Sequence, residues 1–346
     1  MDLVKRHPER KRKKNKKIIF SIFPSHRMIR SAFLRLFGLI PFLSSRSLSP
    51  FFYQTPSSLT LPLKLLPVSG LLISTVTVDD HPSEVIIDTG SPFLTVGSLG
   101  DHSHSRPNVP IAGGSTTSTE QYGEDVLLVT WVNCPVRLPG RTGEGEKRMT
   151  LVGKVQPRRG VNTNYLGLSY DDAERPSVVS QFDWDAFVLS YADETLRLTR
   201  GVGEETFPYK FYDFKPYSSN AFYYATAIHS IQIGESVFQP SPGRDMVVVI
   251  DSGLSGIILD SSFDEILPSS GLNPTNAFIE INLRNGKKWT VQNADYYNLV
   301  RYRLPWFDKE TTAERKYPIT VAIGAAYLYG KTLKVDVRTK TFDLDI

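Results

Sequence analysis

From Leu59 onward the apolar residues come in short runs, some continuous and some alternating with polar residues, and each run is closed by Pro, Gly or an Asp-Asp pair. That period and punctuation predict β-strands rather than helices. Strands are expected over Leu61–Leu65, Leu71–Val78 and Ser83–Ile87, then, after a polar loop at Asp101–Pro110, a hairpin over Gly113–Val136. A short helical piece at Ser177–Phe182 leads into a strand-like Asp183–Tyr191. The scheme then repeats. Tyr223–Ile233 ends at Gly234-Glu235, Met246–Ile250 is wholly apolar, Ser261–Leu267 makes a brief helix, and Phe278–Leu283 and Lys288–Val291 bracket a turn at Asn285-Gly286. The expected fold class is all-β.

The N-terminal part breaks this pattern. Residues 1–27 are a basic segment that cannot fold alone, or a stretch ahead of a true start at Met28. Residues 28–47 have the order of a signal peptide: a short charged region, an apolar region interrupted by Arg35, and small residues. A signal anchor is the alternative, although the run is short for a membrane span. Residues 48–58, rich in Ser and Pro, read as a linker. The net charge of +4 belongs to this region, because residues 1–46 hold 13 Lys/Arg against two acidic residues, leaving 27 Lys/Arg against 34 Asp/Glu. The remainder is therefore acidic. Nucleic-acid binding would rest on residues 1–17 alone and is not expected. Cys134 is the single cysteine, so no intrachain disulfide forms, and its apolar strand context predicts a packed thiol. His102 and His104 have no third ligand at matching spacing, so no metal is expected. No dinucleotide fingerprint, P-loop or serine nucleophile elbow occurs, and no cofactor is expected.

One motif occurs twice. Val85-Ile86-Ile87-Asp88-Thr89-Gly90-Ser91 and Val248-Val249-Ile250-Asp251-Ser252-Gly253-Leu254-Ser255 each run β-branched residues into Asp-Thr/Ser-Gly, with their aspartates 163 positions apart. Each reads as a buried strand ending in a tight turn, with the carboxylate at the strand's end and glycine admitting close backbone approach. A chain of 346 residues is long enough for two lobes, each supplying one aspartate to a shared centre.

That arrangement resembles the pepsin-like aspartic proteases. In that family a later hydrophobic-hydrophobic-Gly segment threads each turn, and Tyr165-Leu166-Gly167 and Ala322-Ile323-Gly324 stand where the two are needed. Tyr327–Ile346 looks like the family's last hairpin. The resemblance implies a bilobal fold of two β-barrel-like lobes, residues 59–192 and 193–346, with a cleft between them. It implies an endopeptidase acting at acidic pH on an extended polypeptide, secreted or vacuolar, monomeric, and without stable membrane association after processing. Asp88 and Asp251 would share one proton and activate a water. Thr89 and Ser252 would join the two loops through hydroxyl-to-backbone bonds, with Gly90 and Gly253 beside them, and Ser91 would bond the outer oxygen of Asp88.

The chain departs from the family at three places. Leu254 stands where a second hydroxyl belongs, leaving Ser255 to reach Asp251. Setting Glu124-Asp125-Val126 at the flap exit puts Gly113-Gly114 at the flap's Tyr-Gly pair, with Tyr122 as another source of an aromatic lid. Thr95 occupies the position of the tryptophan that the flap tyrosine bonds. These departures keep a second class open: a weakly active or non-catalytic relative that binds a peptide or protein in its cleft.

Overall fold

The computed structural model describes residues 58–97, 117–122, 125–141, 145–156, 164–170, 175–201, 207–214, 223–259, 263, 278–292, 299–301 and 318–345. The basic run, the signal-like segment, the linker up to residue 57, His102, His104, Gly113 and Gly114 lie outside them, as does all of the brief helix expected at Ser261–Leu267 except Phe263. Gln54–Ile346 form one compact unit.

The architecture is mostly β. Strand β1 (Ser58–Pro62) comes first. Strands β2 (Lys64–Leu65), β3 (Leu72–Val78), β4 (His81–Asp88), β5 (Leu94–Gly97), β6 (Thr117–Tyr122), β7 (Asp125–Leu138), β8 (Glu146–Val155) and β9 (Tyr165–Gly167) build one sheet. Its order is β2-β3-β4-β9-β5-β8-β7-β6, and a further β3–β7 pairing closes the middle strands into a ring. After α1 (Val178–Gln181) come β10 (Ala186–Ser190), β11 (Thr195–Thr199) and β12 (Tyr209–Lys210). A second sheet uses β13 (Tyr224–Ile233), β14 (Ser236–Phe238), β15 (Met246–Ile250), β16 (Ile257–Leu259), β17 (Phe278–Leu283), β18 (Lys288–Gln292), β19 (Leu299–Arg301) and β20 (Ile319–Ile323). Its order is β18-β17-β13-β15-β20-β16-β19, with β14 on β13. Helix α2 (Ala325–Leu328), β21 (Thr332–Asp336) and β22 (Thr341–Asp345) finish the chain.

A third sheet, β1-β11-β10-β21-β22-β12, combines strands from the start, middle and end of the unit. The boundary expected at 192–193 falls in the turn between β10 and β11, which pair with Ala186 opposite Thr199. The apolar run at Leu61–Leu65 divides at Leu63, sending β1 to this sheet and β2 to the first. Tyr327 and Leu328, expected as the start of the closing hairpin, form the end of α2 instead. That helix is one turn long, below what sequence periodicity registers.

Local chemistry explains the strands that matter. In β15 all five residues are buried, as expected of a strand with a parallel neighbour and covered faces. The β3–β4 hairpin turns on Asp79 and Asp80, at φ of 53° and 63°, the paired positive values that a two-residue turn between twisted strands requires. Cys134 is fully buried, and burial, then the nearby Asp79 charge, push its thiol up to about 11. Buried Glu146 on β8 takes ion pairs from Arg148 and Arg200, whose guanidinium lies 3.7 Å from the Trp184 ring centre, tying the first sheet to β11. Among the described residues no helix is long and apolar enough to cross a membrane.

The packing yields a sharp test. In register across three strands stand Thr95, Gly153 and Trp131. A Cβ at Gly153 would lie 2.7 Å from Val129 Cγ1 and 3.2 Å from Trp131 Cζ3. Gly153→Ala is expected to cost about 1–3 kcal/mol in urea unfolding, the price of overpacking a close-packed core. An unchanged midpoint would show that this layer yields easily.

Candidate active site

Both aspartates sit where a buried parallel strand ends. Asp88 is the last residue of β4 and Asp251 follows β15 directly. β4 runs parallel to β9, with Asp88 opposite Gly167, and β15 runs parallel to β20, with Ile250 opposite Ile323. The two halves then repeat residue by residue. Leu94, six after Asp88, pairs antiparallel with Leu166, and Ile257, six after Asp251, pairs antiparallel with Ile323. Gly167 donates its amide to the Phe93 carbonyl at 3.0 Å, and Gly324 donates to the Gly256 carbonyl at 2.8 Å, each acceptor lying five residues after its aspartate.

Both glycines are dictated by contact. A Cβ at Gly167 would sit 2.4 Å from the Phe93 amide nitrogen, and one at Gly324 2.2 Å from the Leu254 carbonyl oxygen. The obstacles are backbone, so neither can move aside cheaply. The segments Tyr165-Leu166-Gly167 and Ala322-Ile323-Gly324 thus brace the two aspartate loops from behind.

Between the loops the bonds are reciprocal. The Thr89 amide donates to Ser252 Oγ at 3.0 Å, and the Ser252 amide donates to Thr89 Oγ1 at 2.9 Å. Each hydroxyl donates onward, Thr89 to the Ile250 carbonyl at 3.0 Å and Ser252 to the Ile87 carbonyl at 2.7 Å. Thr89 and Ser252 are both fully buried, so these four bonds have no competing water.

This clasp brings each carboxylate over the opposite turn. A Cβ on Gly90 would meet the Asp251 carboxylate carbon at 2.5 Å, and one on Gly253 would meet Asp88 Oδ1 at 2.5 Å. Asp88 accepts from the Gly90 amide at 2.8 Å and from Ser91 Oγ at 2.5 Å. Asp251 accepts from the Gly253 amide at 3.0 Å. Among the described residues no hydroxyl serves Asp251. Ser255 is not among its partners; the carbonyls of Leu254 and Ser255 accept from the amides of Ala325 and Ala326, at 2.7 and 3.1 Å, which hold this stretch against α2.

The two carboxyls act on one another's protonation, and both hold protons more tightly than an ordinary aspartate. Burial raises Asp88, opposed by the bonds from Ser91 and Gly90. Burial raises Asp251 further, reinforced by the Asp88 charge. The donors therefore favour a proton on Asp251 and a charge on Asp88. Two phenols missed in the sequence also lie within the pair's field. Tyr191 and Tyr223 are both raised, by burial first and then by the charges of Asp251 and Asp88, and the Tyr191 hydroxyl is buried with no partner. Neither sits in a motif; only the return of β10 and β13 to the centre brings them there.

The β6–β7 hairpin pairs as far as Tyr122 opposite Asp125. Gly113-Gly114, expected at the flap position, lie outside the described residues. Thr95 is buried with its hydroxyl unpartnered, and the indole of Trp131, two strands away, reaches it across Gly153. A large ring from β7 therefore packs in this layer, a placement visible only in register. Among the described residues no three His, Cys, Asp or Glu side chains gather as a metal site.

No protein-family model matches the chain, and no curated protein matches it.

Two measurements follow from this geometry. Thr89→Ala or Ser252→Ala removes two buried hydrogen bonds and strands their partners, at an expected cost of about 2–4 kcal/mol in urea unfolding, with the double variant costing less than the sum. Additive effects would mean that the hydroxyls act independently. The raised carboxyls also give stability a pH dependence. Their stabilisation is complete below the ordinary aspartate value of 3.8 and is lost as pH rises through the raised values. Asp251→Asn should flatten that fall relative to the parent between acid and neutral pH; parallel curves would contradict the shared proton.

Proposed function

We propose that the chain is an aspartic endopeptidase of the pepsin-like kind, with a bilobal fold in which the two motif-bearing sheets face a common cleft. The observation that carries this reading is the pair of buried carboxyls, each lying over the other turn's glycine and joined by reciprocal Thr89–Ser252 bonds. A like-charge pair forced into burial is costly, and such pairs concentrate at catalytic sites.

The chemistry follows from the unequal donors. Asp88, held ionised by Ser91 and Gly90, takes a proton from a water molecule whose oxygen attacks the scissile carbonyl carbon. Asp251 gives its proton to the carbonyl oxygen, forming a neutral gem-diol. On collapse the C–N bond breaks, the leaving nitrogen receives the proton carried by Asp88, and the diol hydroxyl returns its proton to Asp251. No covalent enzyme intermediate is needed. Substrate is an extended polypeptide, and the β6–β7 hairpin covers it. Loss of the shared proton at higher pH removes the acid, so activity is confined to the acidic side.

A second reading, a cleft that binds a peptide or protein without turning it over, draws on Leu254 and on the absence, among the described residues, of a hydroxyl donating to Asp251. One charge-assisted bond is worth about 1.5–3 kcal/mol, enough to displace the pair's titration.

Cleavage of a mixed peptide pool by the folded chain, scanned from pH about 2 to 7, separates the two. Turnover limited to acid, and lowered at least about 10²–10⁴-fold by Asp88→Asn and by Asp251→Asn, is the expected result. Peptide binding without cleavage at any pH would instead establish the second reading.

A further inference from the structure

Strand β6 reads Thr-Ser-Thr-Glu-Gln-Tyr and carries no aliphatic residue. Among the described residues it is the outermost strand of its sheet and pairs only with β7. An edge strand without an apolar face has little burial to fix its register, and a slip of one residue would turn every side chain over. Something else must hold it.

Ser118 and Glu120 share one face and are half-buried, whereas Thr117 and Thr119 are exposed. Trp131, fully buried on β7, donates Nε1–H to Ser118 Oγ at 2.7 Å, and Ser118 donates to Glu120 Oε1 at 2.5 Å. Arg175 donates from Nη2 to the same Glu120 oxygen as an ion pair. Its guanidinium carbon lies 4.5 Å from the Trp131 ring centre and 5.1 Å from that of Phe93, and those two rings meet edge to face at 5.0 Å. The circuit is closed: indole to hydroxyl, hydroxyl to carboxylate, carboxylate to guanidinium, guanidinium back over the indole.

Its far end is the Asp88 loop. Phe93 follows Asp88 by five residues, and its carbonyl accepts the Gly167 amide. Arg175 is anchored nearby, since Val178, three residues on, donates to the Pro92 carbonyl at 2.9 Å. Arg175 Nε is buried without a partner, so removal of Glu120 would leave a largely buried cation with no counter-charge.

We propose that Glu120, Ser118, Trp131 and Arg175 form a latch that fixes the β6–β7 hairpin against Phe93 and so sets the position of strand β6 relative to the Asp88 loop. These are positioning residues. The latch takes over the anchoring that a tryptophan at Thr95 would have supplied, using a charged pair on an edge strand that burial cannot hold. Its catalytic consequence rests on the protease reading; its effect on the hairpin does not.

Amide hydrogen exchange on the full chain tests it. Glu120→Ala and Arg175→Ala are each expected to raise exchange over residues 117–122 by about tenfold or more, leaving β13 and β15 as protected as in the parent. Glu120→Gln, which can still accept from Ser118 and Arg175, should retain most of the protection. Unchanged exchange in both alanine variants overturns the latch, as does a rise spread evenly over both eight-stranded sheets. Where the parent cleaves peptide, the alanine variants should also lose about tenfold in kcat/KM, with recovery in Glu120→Gln. A hairpin that responds in a chain that cleaves nothing removes the protease reading and keeps the latch; cleavage with no hairpin response does the reverse.

Discussion

Everything at the centre depends on the reciprocal exchange between Thr89 and Ser252, in which each backbone amide bonds the other's hydroxyl. Four buried hydrogen bonds in one small network set two loops 163 residues apart at a fixed separation. That separation is short enough that only glycine fits at residues 90 and 253. The carboxyls then cannot escape one another, and their shared proton follows from position rather than from any special residue.

The support behind this clasp is built twice from the same plan. A parallel partner strand delivers a glycine amide to the carbonyl five residues after each aspartate, and a neighbouring antiparallel strand meets it in the same register. The halves differ where their chemistry would differ. Ser91 reaches Asp88, whereas Leu254 has no hydroxyl and the Ser255 carbonyl is bonded by the Ala326 amide of α2. Equivalent scaffolds with unequal donors make the pair electrostatically asymmetric, which is what acid-base work on one substrate requires.

The hairpin illustrates a different economy. Strand β6 is polar and at an edge, so backbone pairing alone would leave it free to slip. A ring of indole, hydroxyl, carboxylate and guanidinium supplies the specificity that apolar burial supplies elsewhere. Gly153 makes room for it, since a Cβ there would meet Val129 Cγ1 at 2.7 Å and crowd Trp131 Cζ3 at 3.2 Å.

The strand pattern and the two Asp-Thr/Ser-Gly turns were legible in the chain because each depends on local rules, β-branched runs and turn chemistry, whereas the bracing glycines were expected only from the family resemblance. β15 and β17 coincide with the apolar runs that announce them. What tertiary structure alone decided are relations between distant positions. The six-stranded sheet joins β1 to β11 and β10 to β21, pairings that no single run encodes. The place of Trp131 across Gly153 from Thr95 follows from strand register, and Tyr191 comes within the carboxyls' field only because β10 returns to the centre. Ser255, two residues from the motif's glycine, is placed by a helix seventy residues later in the chain. Local propensity is written in neighbouring residues, whereas side-chain partnership is settled only when sheets close and bring remote residues into the same few ångströms.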